Sequence, residues 1–350
     1  MIKTPFAYKM SISVGMLTAT FILFCLNLAM GSVYIPVKET FAIFINGHSD
    51  NIIWENILLR TRLPQAVTSA MAGMGLGIAG LMMQTLFRNP LAGPSVLGIS
   101  SGASLGVAVL VMATGGIFHI SLSNMGIWGE LSIISASMLG ALLVLMVILG
   151  ISQKIGGTLS VLIMGVMFGY LANSLVGILK FFSREADVHN YVIWGLGSFS
   201  RLSMQKSFFF AGAVFVTSFL AFLLSKQLNL ISIGDRYAMN LGVKVKHARF
   251  LIILVSGMLT AIVTAFCGPI VFIGLAVPHI VKYLIRTSNH LYLISYTAIM
   301  GMAVALLCNL IARLPGLDTN LPINSVTAFI GAPVVISVIL HRRKHKSDAE

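Results

Sequence analysis

The residues able to carry chemistry are few and far apart. Cys25, Cys267 and Cys308 all lie in apolar runs. An odd number of widely separated thiols makes neither a disulfide framework nor a metal cluster, so they read as small apolar fillers. His119, His189, His247 and His290 fall in or near loops, with no nucleophile–base or metal-ligand spacing. His279, beside Pro278, is an ionisable group set in an apolar stretch. Such groups at membrane depth are functional candidates. Pro278 also frees a backbone carbonyl, however, and His279 is expected to serve a group of that kind. No Gly-Lys dipeptide occurs, which excludes a P-loop, so any ATP used must be bound by another chain. No Asp or Glu stands in the middle of an apolar stretch, which counts against an ion-coupled carrier.

These sparse groups must be positioned by apolar elements. Hydrophobic residues make up 57% of the 350 and charged residues only 9%, too few to coat a soluble globule. The fold class is therefore all-α and polytopic in the bilayer, read as one domain over 1–350. In a soluble protein a net charge of +13 would suggest nucleic acid; here its placement along the chain matters first.

Charge-free stretches run over 10–37, 63–87, 89–129, 131–153, 155–179, 207–225, 250–281, 287–312 and 319–341. Each reaches the ~20 residues of a membrane span. Lys3 and Lys9 precede the first stretch and Arg342, Arg343, Lys344 and Lys346 follow the last, which puts both termini in the cytoplasm. Parity then demands an even count of crossings. The stretch 250–281 both starts and ends in basic loops, so it should hold a full helix over 250–267 and a shorter one past Pro278. About ten helices result. Glu39, Asp50, Glu55, Glu130, Glu185, Asp187 and Asp318 then fall outside. Ala29-Met30-Gly31 imitates a cleavage site, but the apolar stretch before it exceeds a signal core, and an uncleaved first span is expected.

Small residues recur at helical spacing in two spans. Gly73, Gly77 and Gly80 lie near one face of the second, and Gly165, Gly169, Asn173 and Gly177 recur every fourth residue in the fifth. Such spacing lets helix backbones approach; on the fifth span it could instead leave room for a solute. Arg88, in Phe87-Arg88-Asn89-Pro90, reads as a positive-inside anchor beside a turn. The connection 226–249 contains Gly234-Asp235, an apolar set Ala238, Leu241 and Val243, and Gly242. A short helix starting near Asp235 and ending at Gly242 is expected. Arg60, Arg62 and Arg313 lie outside, against the charge bias, either snorkelling or serving a partner.

Three segments carry a resemblance: RLPQAVTSAMAGMGLGIAGLMMQTLFRNPLAGPSVLGISSGASLG at 62–106, GPIVFIGLAVPHIVKY at 268–283 and LPINSVTAFIGAPV at 321–334. Together they resemble the FecCD-type permease subunit of ABC importers for ferric siderophores, haem and vitamin B12, over about residues 55–340. The resemblance implies a type II importer permease of the bacterial inner membrane, paired with a second permease subunit, usually an identical copy. It further implies two cytoplasmic ATPase subunits that hold ATP and Mg²⁺, and an external substrate-binding protein. No cofactor, metal or catalytic residue is expected on this chain, and no nucleic acid. Arg236, Tyr237, Ala238, Leu241 and Gly242 would be the ATPase-coupling contacts. Arg60, Arg62 and Arg313 would meet acids of the binding protein, and Gly165, Gly169, Asn173 and Gly177 would line the path. Gln65, Asn309, Lys282 and Asn324 depart from the family pattern, which usually has Arg, an acid, Arg and Gly there. The expected cargo is an iron chelate, with cobalamin as the alternative and an ATP-independent carrier as the rival class.

Overall fold

The computed structural model describes residues 6–31, 33, 35–46, 51–116, 126–154, 157–314 and 320–347, and no strand occurs among them. The helices are α1 (Phe6–Ala29), α2 (Val37–Asn46), α3 (Ile52–Ile57), α4 (Leu63–Leu86), α5 (Ile99–Gly116), α6 (Ile127–Lys154), α7 (Thr158–Phe181) and α8 (Glu185–Gly195). They continue as α9 (Met204–Leu223), α10 (Ser225–Ile233), α11 (Asp235–Asn240), α12 (Val245–Cys267), α13 (Ile273–Ile285), α14 (His290–Ala312) and α15 (Ile323–Ser347). A π-turn at Leu58–Arg62 leads into α4, and a 3-10 turn at Pro94–Leu97 leads into α5.

Among the described residues seven helical stretches are long and apolar enough to cross a bilayer, and three shorter apolar helices lie within α5, α13 and α15, in rough agreement with the ten expected. α12 ends at Cys267, as expected, and α13 is the short companion. With 13 residues α13 reaches only about 20 Å, so the non-helical 268–271 must supply part of that crossing. Irregular backbone is tolerated at such depth only where protein covers it. The half-length α8 and the small helices α2, α3 and α10 were not foreseen, because they are too short to interrupt the charge pattern.

α4 is the buried axis of the molecule, whereas α1 and α7 turn most of their surface outward. Its sequence explains why. Gly and Ala recur around the helix, so neighbours can close in on several sides. A Cβ on Gly73 would overlap the carbonyl oxygen of Gly301 in α14, and one on Gly80 would overlap that of Gly274 in α13. The glycine face of α4 is thus a packing surface. One apolar cluster runs from Met16 to Val326, with Cys267 and Cys308 buried inside it. Both thiols are free.

Buried polar side chains lock the same helices. Gln65 Nε2 donates to Asn309 Oδ1 at 3.0 Å, Asn309 Nδ2 donates to Asn27 Oδ1 at 2.7 Å, and Asn27 Nδ2 donates to the Leu306 carbonyl at 3.0 Å. This chain joins α1, α4 and α14 with no charge in the membrane. Two of the positions that depart from the family pattern, Gln65 and Asn309, are therefore partners.

Candidate functional site

The connection 226–249 is largely helical rather than an open loop. α9 passes through Leu224 into α10, and Gly234, at φ 146°, turns the chain into α11. Gly242, at φ 82°, ends α11, and the Val243 amide donates to the Ala238 carbonyl at 3.0 Å. That is the closing bond of a glycine-ended helix. Asp235 stands in the first turn, where a carboxylate favours the helix dipole.

Asp235 also fastens this element to the membrane helices. It accepts from Arg88 Nη2 at 3.0 Å on one oxygen and from Arg249 Nη2 on the other. Arg88 additionally donates to the Ile231 carbonyl at 3.0 Å. Arg88 is therefore more than a membrane-edge anchor: it ties the end of α4 to both α10 and α11.

The apolar set expected on α11 divides. Ala238 is fully buried and Val243 packs on the core, so neither is a surface contact. Leu241 is 64% exposed and Tyr237 66%. Met239, not anticipated, is exposed with them, as are Arg236 and Gly242. A helix of six residues advances about 9 Å, so a small buried foot holds it while bulky side chains stand clear. The missed Met239 carried no periodic signal, since two residues on a helix separate it from the face of Tyr237 and Leu241.

α7 splits in a similar way. A Cβ on Gly165 would come within 2.7 Å of Leu97 Cα, and a Cβ on Gly98 would come equally close, 2.7 Å, to Gly165 O. Gly169 is buried beside Ser101. These two glycines let α7 press on the 3-10 turn before α5, which corrects the expectation that they line an open path. Asn173 and Gly177 are exposed, and nothing stands within 4 Å of a Cβ on Gly177. Exposed Tyr170, Leu171, Leu175 and Ile178 share that half of the helix.

Of the outer arginines, Arg62 is only 2% exposed. Its Nη1 donates to the Leu28 carbonyl at 2.8 Å and the Ala29 carbonyl at 2.7 Å, and its Nη2 to that of Val33. Arg313 Nη2 donates to the Met30 carbonyl at 3.1 Å. The last carbonyls of a helix lack intrahelical partners, and a cation there also meets the negative end of the dipole. Arg62 is a cap for α1 with almost no surface left to meet a partner, and half-buried Arg313 donates beside it. Gly31 sits between them; a Cβ there would be 2.7 Å from Arg313 Nη2. Arg60 alone of the three is fully exposed.

His279 Nε2 lies 2.8 Å from the Pro90 carbonyl, which can only accept, so that nitrogen carries the proton. The expected backbone role stands, though the carbonyl belongs to the turn after α4 and not to the Pro278 helix. Elsewhere Lys206 pairs with Glu130, and a cavity of about 360 Å³ is walled by Glu130, Asp187, Trp194 and Arg201. Residues assigned to one side of the membrane meet one another throughout: Arg88 with Asp235, Arg62 with Met30's neighbours, Lys206 with Glu130.

The model of the FecCD transport family matches residues 19–342. The hemin transport system permease protein of Yersinia pestis is 30% identical over 322 residues, covering 91% of this chain and 94% of the relative. The vitamin B12 import system permease protein of Citrobacter koseri is 29% identical over 335 residues, with 95% and 94% covered. A solved structure described as an inward-facing conformation of a metal-chelate type ABC transporter matches at TM-score 0.80 and 28% identity, over 95% of this chain and 99% of that one.

Proposed function

The chain belongs to the FecCD transport family, and from that premise we propose that it is the permease through which an ABC importer moves an iron chelate, a ferric siderophore or haem, across the bacterial inner membrane. The observation that carries the reading is α11: a short, stiff helix with Tyr237, Met239 and Leu241 exposed, held to the end of α4 through Asp235 and Arg88. A bilayer-spanning bundle has no need of such an element for itself. It suits a foot that a partner ATPase grips, because force on α11 passes through two ion pairs into α4 and α12.

In this reading two cytoplasmic ATPases bind ATP and Mg²⁺ and take hold of α11 on each of two permease copies. ATP closes the ATPases together, the copies rock against one another, and the path between them changes sides. Hydrolysis resets it. The exposed half of α7, with Asn173 and Gly177, lines that path; α7 has apolar surface to spare for a partner copy. An external binding protein delivers the cargo, with Arg60 as the cation it meets. Both termini and α11 lie in the cytoplasm, and this chain itself does no covalent chemistry.

The vitamin B12 relatives support a second reading of the cargo, with the same mechanism. Growth of a deletion strain on hemin, on single ferric siderophores or on cobalamin separates the two. Loss of growth on iron chelates alone is the expected result, and loss confined to cobalamin transfers the assignment. Uptake in vesicles that follows an ion gradient and ignores ATP would overturn both.

A further inference from the structure

A cavity of about 570 Å³ opens where α4, α10, α13 and α14 come together, beside the coupling element. Its wall includes Arg88, His279, Lys282, Arg286, Thr287 and Ser288, and no Asp or Glu among the described residues. Three permanent cations therefore face one space with hydroxyls between them and no acid in the wall. Asp235 neutralises part of the Arg88 charge from outside the wall, and Lys282 Nζ donates to Gln84 Oε1 at 3.1 Å. The Arg286 guanidinium has no hydrogen bond or ion pair among the described residues.

Backbone conformation adds an independent sign. Arg88 and Arg286 are the only non-glycine residues with positive φ among the described residues, at 48° and 49°. Each follows a helix end, α4 or α13, where glycine is the default because a Cβ is strained in that conformation. Attraction to the helix dipole accounts for a cation near either end. It does not account for two strained arginines and a lysine converging on one acid-free cavity. Strained backbone of this kind gathers at ligand clamps, where the side chain is worth the conformation.

We propose that this cavity binds a phosphate group, carried by an anionic lipid of the adjoining leaflet. Guanidinium, ammonium and hydroxyl donors together match the oxygens of a phosphate. Basic pockets between membrane helices at the cytoplasmic edge take lipid headgroups. Exposed Tyr283 on α13 and Tyr292 on α14 are the interfacial aromatics that accompany such a headgroup. Since Arg88 serves both this wall and Asp235, an occupied site would stiffen the anchorage of α11. The binding chemistry stands apart from the choice of transported cargo.

The test uses the full-length permease in nanodiscs of phosphatidylcholine with a minor share of phosphatidylglycerol, followed by native mass spectrometry of retained lipid. Wild type should keep phosphatidylglycerol in preference to phosphatidylcholine. Arg286→Gly combined with Lys282→Gln should lower that retention about tenfold or more, the worth of a lost charge-assisted contact. Arg286→Gly relieves the strained backbone, and Lys282→Gln alone, which leaves the backbone untouched, is read in parallel. In a second arm, inorganic phosphate is added to permease in phosphatidylcholine alone. A thermal shift in wild type that the variants abolish would support the site with soluble phosphate as the source. The proposal is overturned if wild type prefers neither lipid and ignores phosphate, or if the variants retain phosphatidylglycerol as wild type does.

Discussion

Arg88 and Asp235, 147 residues apart in sequence, meet at 3.0 Å where the buried axis of the bundle reaches α11. Asp235 holds Arg249 with its other oxygen, so one carboxylate joins the end of α4, the start of α11 and the first turns of α12. Asp235→Asn should leave the bundle assembled, because the Asp235 side chain is 32% exposed and a pair with so much solvent at hand is worth only ~0–1 kcal/mol. Force transmission depends on both pairs at once, so transport should fall several-fold more than stability does. ATP-driven uptake in proteoliposomes, set beside the melting temperature, checks this; equal uptake by variant and wild type would remove the clamp from the mechanism.

Two neighbours on α11 should respond in opposite ways. Leu241→Asp puts a charge on an exposed side chain and should cost the fold little, while weakening ATPase binding by about 2 kcal/mol or more if Leu241 is a contact hot spot. Ala238→Asp buries a carboxylate in a closed position and should compromise folding itself. Co-purification of the ATPase and the yield of monodisperse permease distinguish them.

The glycines of α4 and α7 make a graded series. Gly73→Val would drive α4 off Gly301 and should abolish stable expression. Gly165→Val should also destabilise strongly, through Leu97. Gly177→Ala meets nothing within the chain and should leave the melting temperature of the isolated permease unchanged. If it nevertheless weakens pairing of two copies or slows transport, the exposed half of α7 is an interface; unchanged pairing and unchanged uptake would make it a lipid face.

Arg62→Ala removes the guanidinium from two carbonyls at the end of α1 and from that of Val33 beyond it, and should destabilise the permease by about 2–4 kcal/mol. Arg60→Ala should leave stability alone. Should Arg60 meet the binding protein, its loss slows association at low salt, an effect that fades as salt screens the charge. Surface plasmon resonance at two ionic strengths measures this, and a salt-independent result would exclude docking through Arg60.

Gln65 and Asn309 invite a double-mutant cycle. Asn309→Asp alone introduces a buried charge beside Gln65 and Asn27 and should be strongly destabilising. Adding Gln65→Arg supplies the opposite charge at the same contact and should recover part of the loss, a coupling of about 0.5–3 kcal/mol between touching residues. Additive losses would mean that the two side chains do not interact.

Much of the architecture was legible in the chain because the bilayer imposes one simple constraint. Charges cannot sit in hydrocarbon at low cost, so their spacing marks the spans, their sign suggests the sides, and parity forces the crossing that ends at Cys267. The small helix that ends at Gly242 was legible for an equally local reason: Gly234, Asp235 and Gly242 act within a few residues of themselves.

What the chain could not disclose is which side of each helix meets which neighbour. In hydrocarbon all the apolar faces look alike, so no periodicity separates a packed face from an open one. Only the tertiary arrangement turned Gly165 and Ala238 inward while leaving Gly177 and Leu241 outside. Arg62 makes the point most sharply. Its position among outer basic residues is a one-dimensional fact that suits docking as well as capping. The choice fell to capping because folding carries the end of α1 against it, and carbonyls with no other donor take the guanidinium first. The sequence by itself determined which stretches are apolar and where charge interrupts them, because the cost of charge in hydrocarbon is a property of composition. The tertiary structure alone decided which buried polar and small residues hold the bundle, and so which few are left exposed for partners.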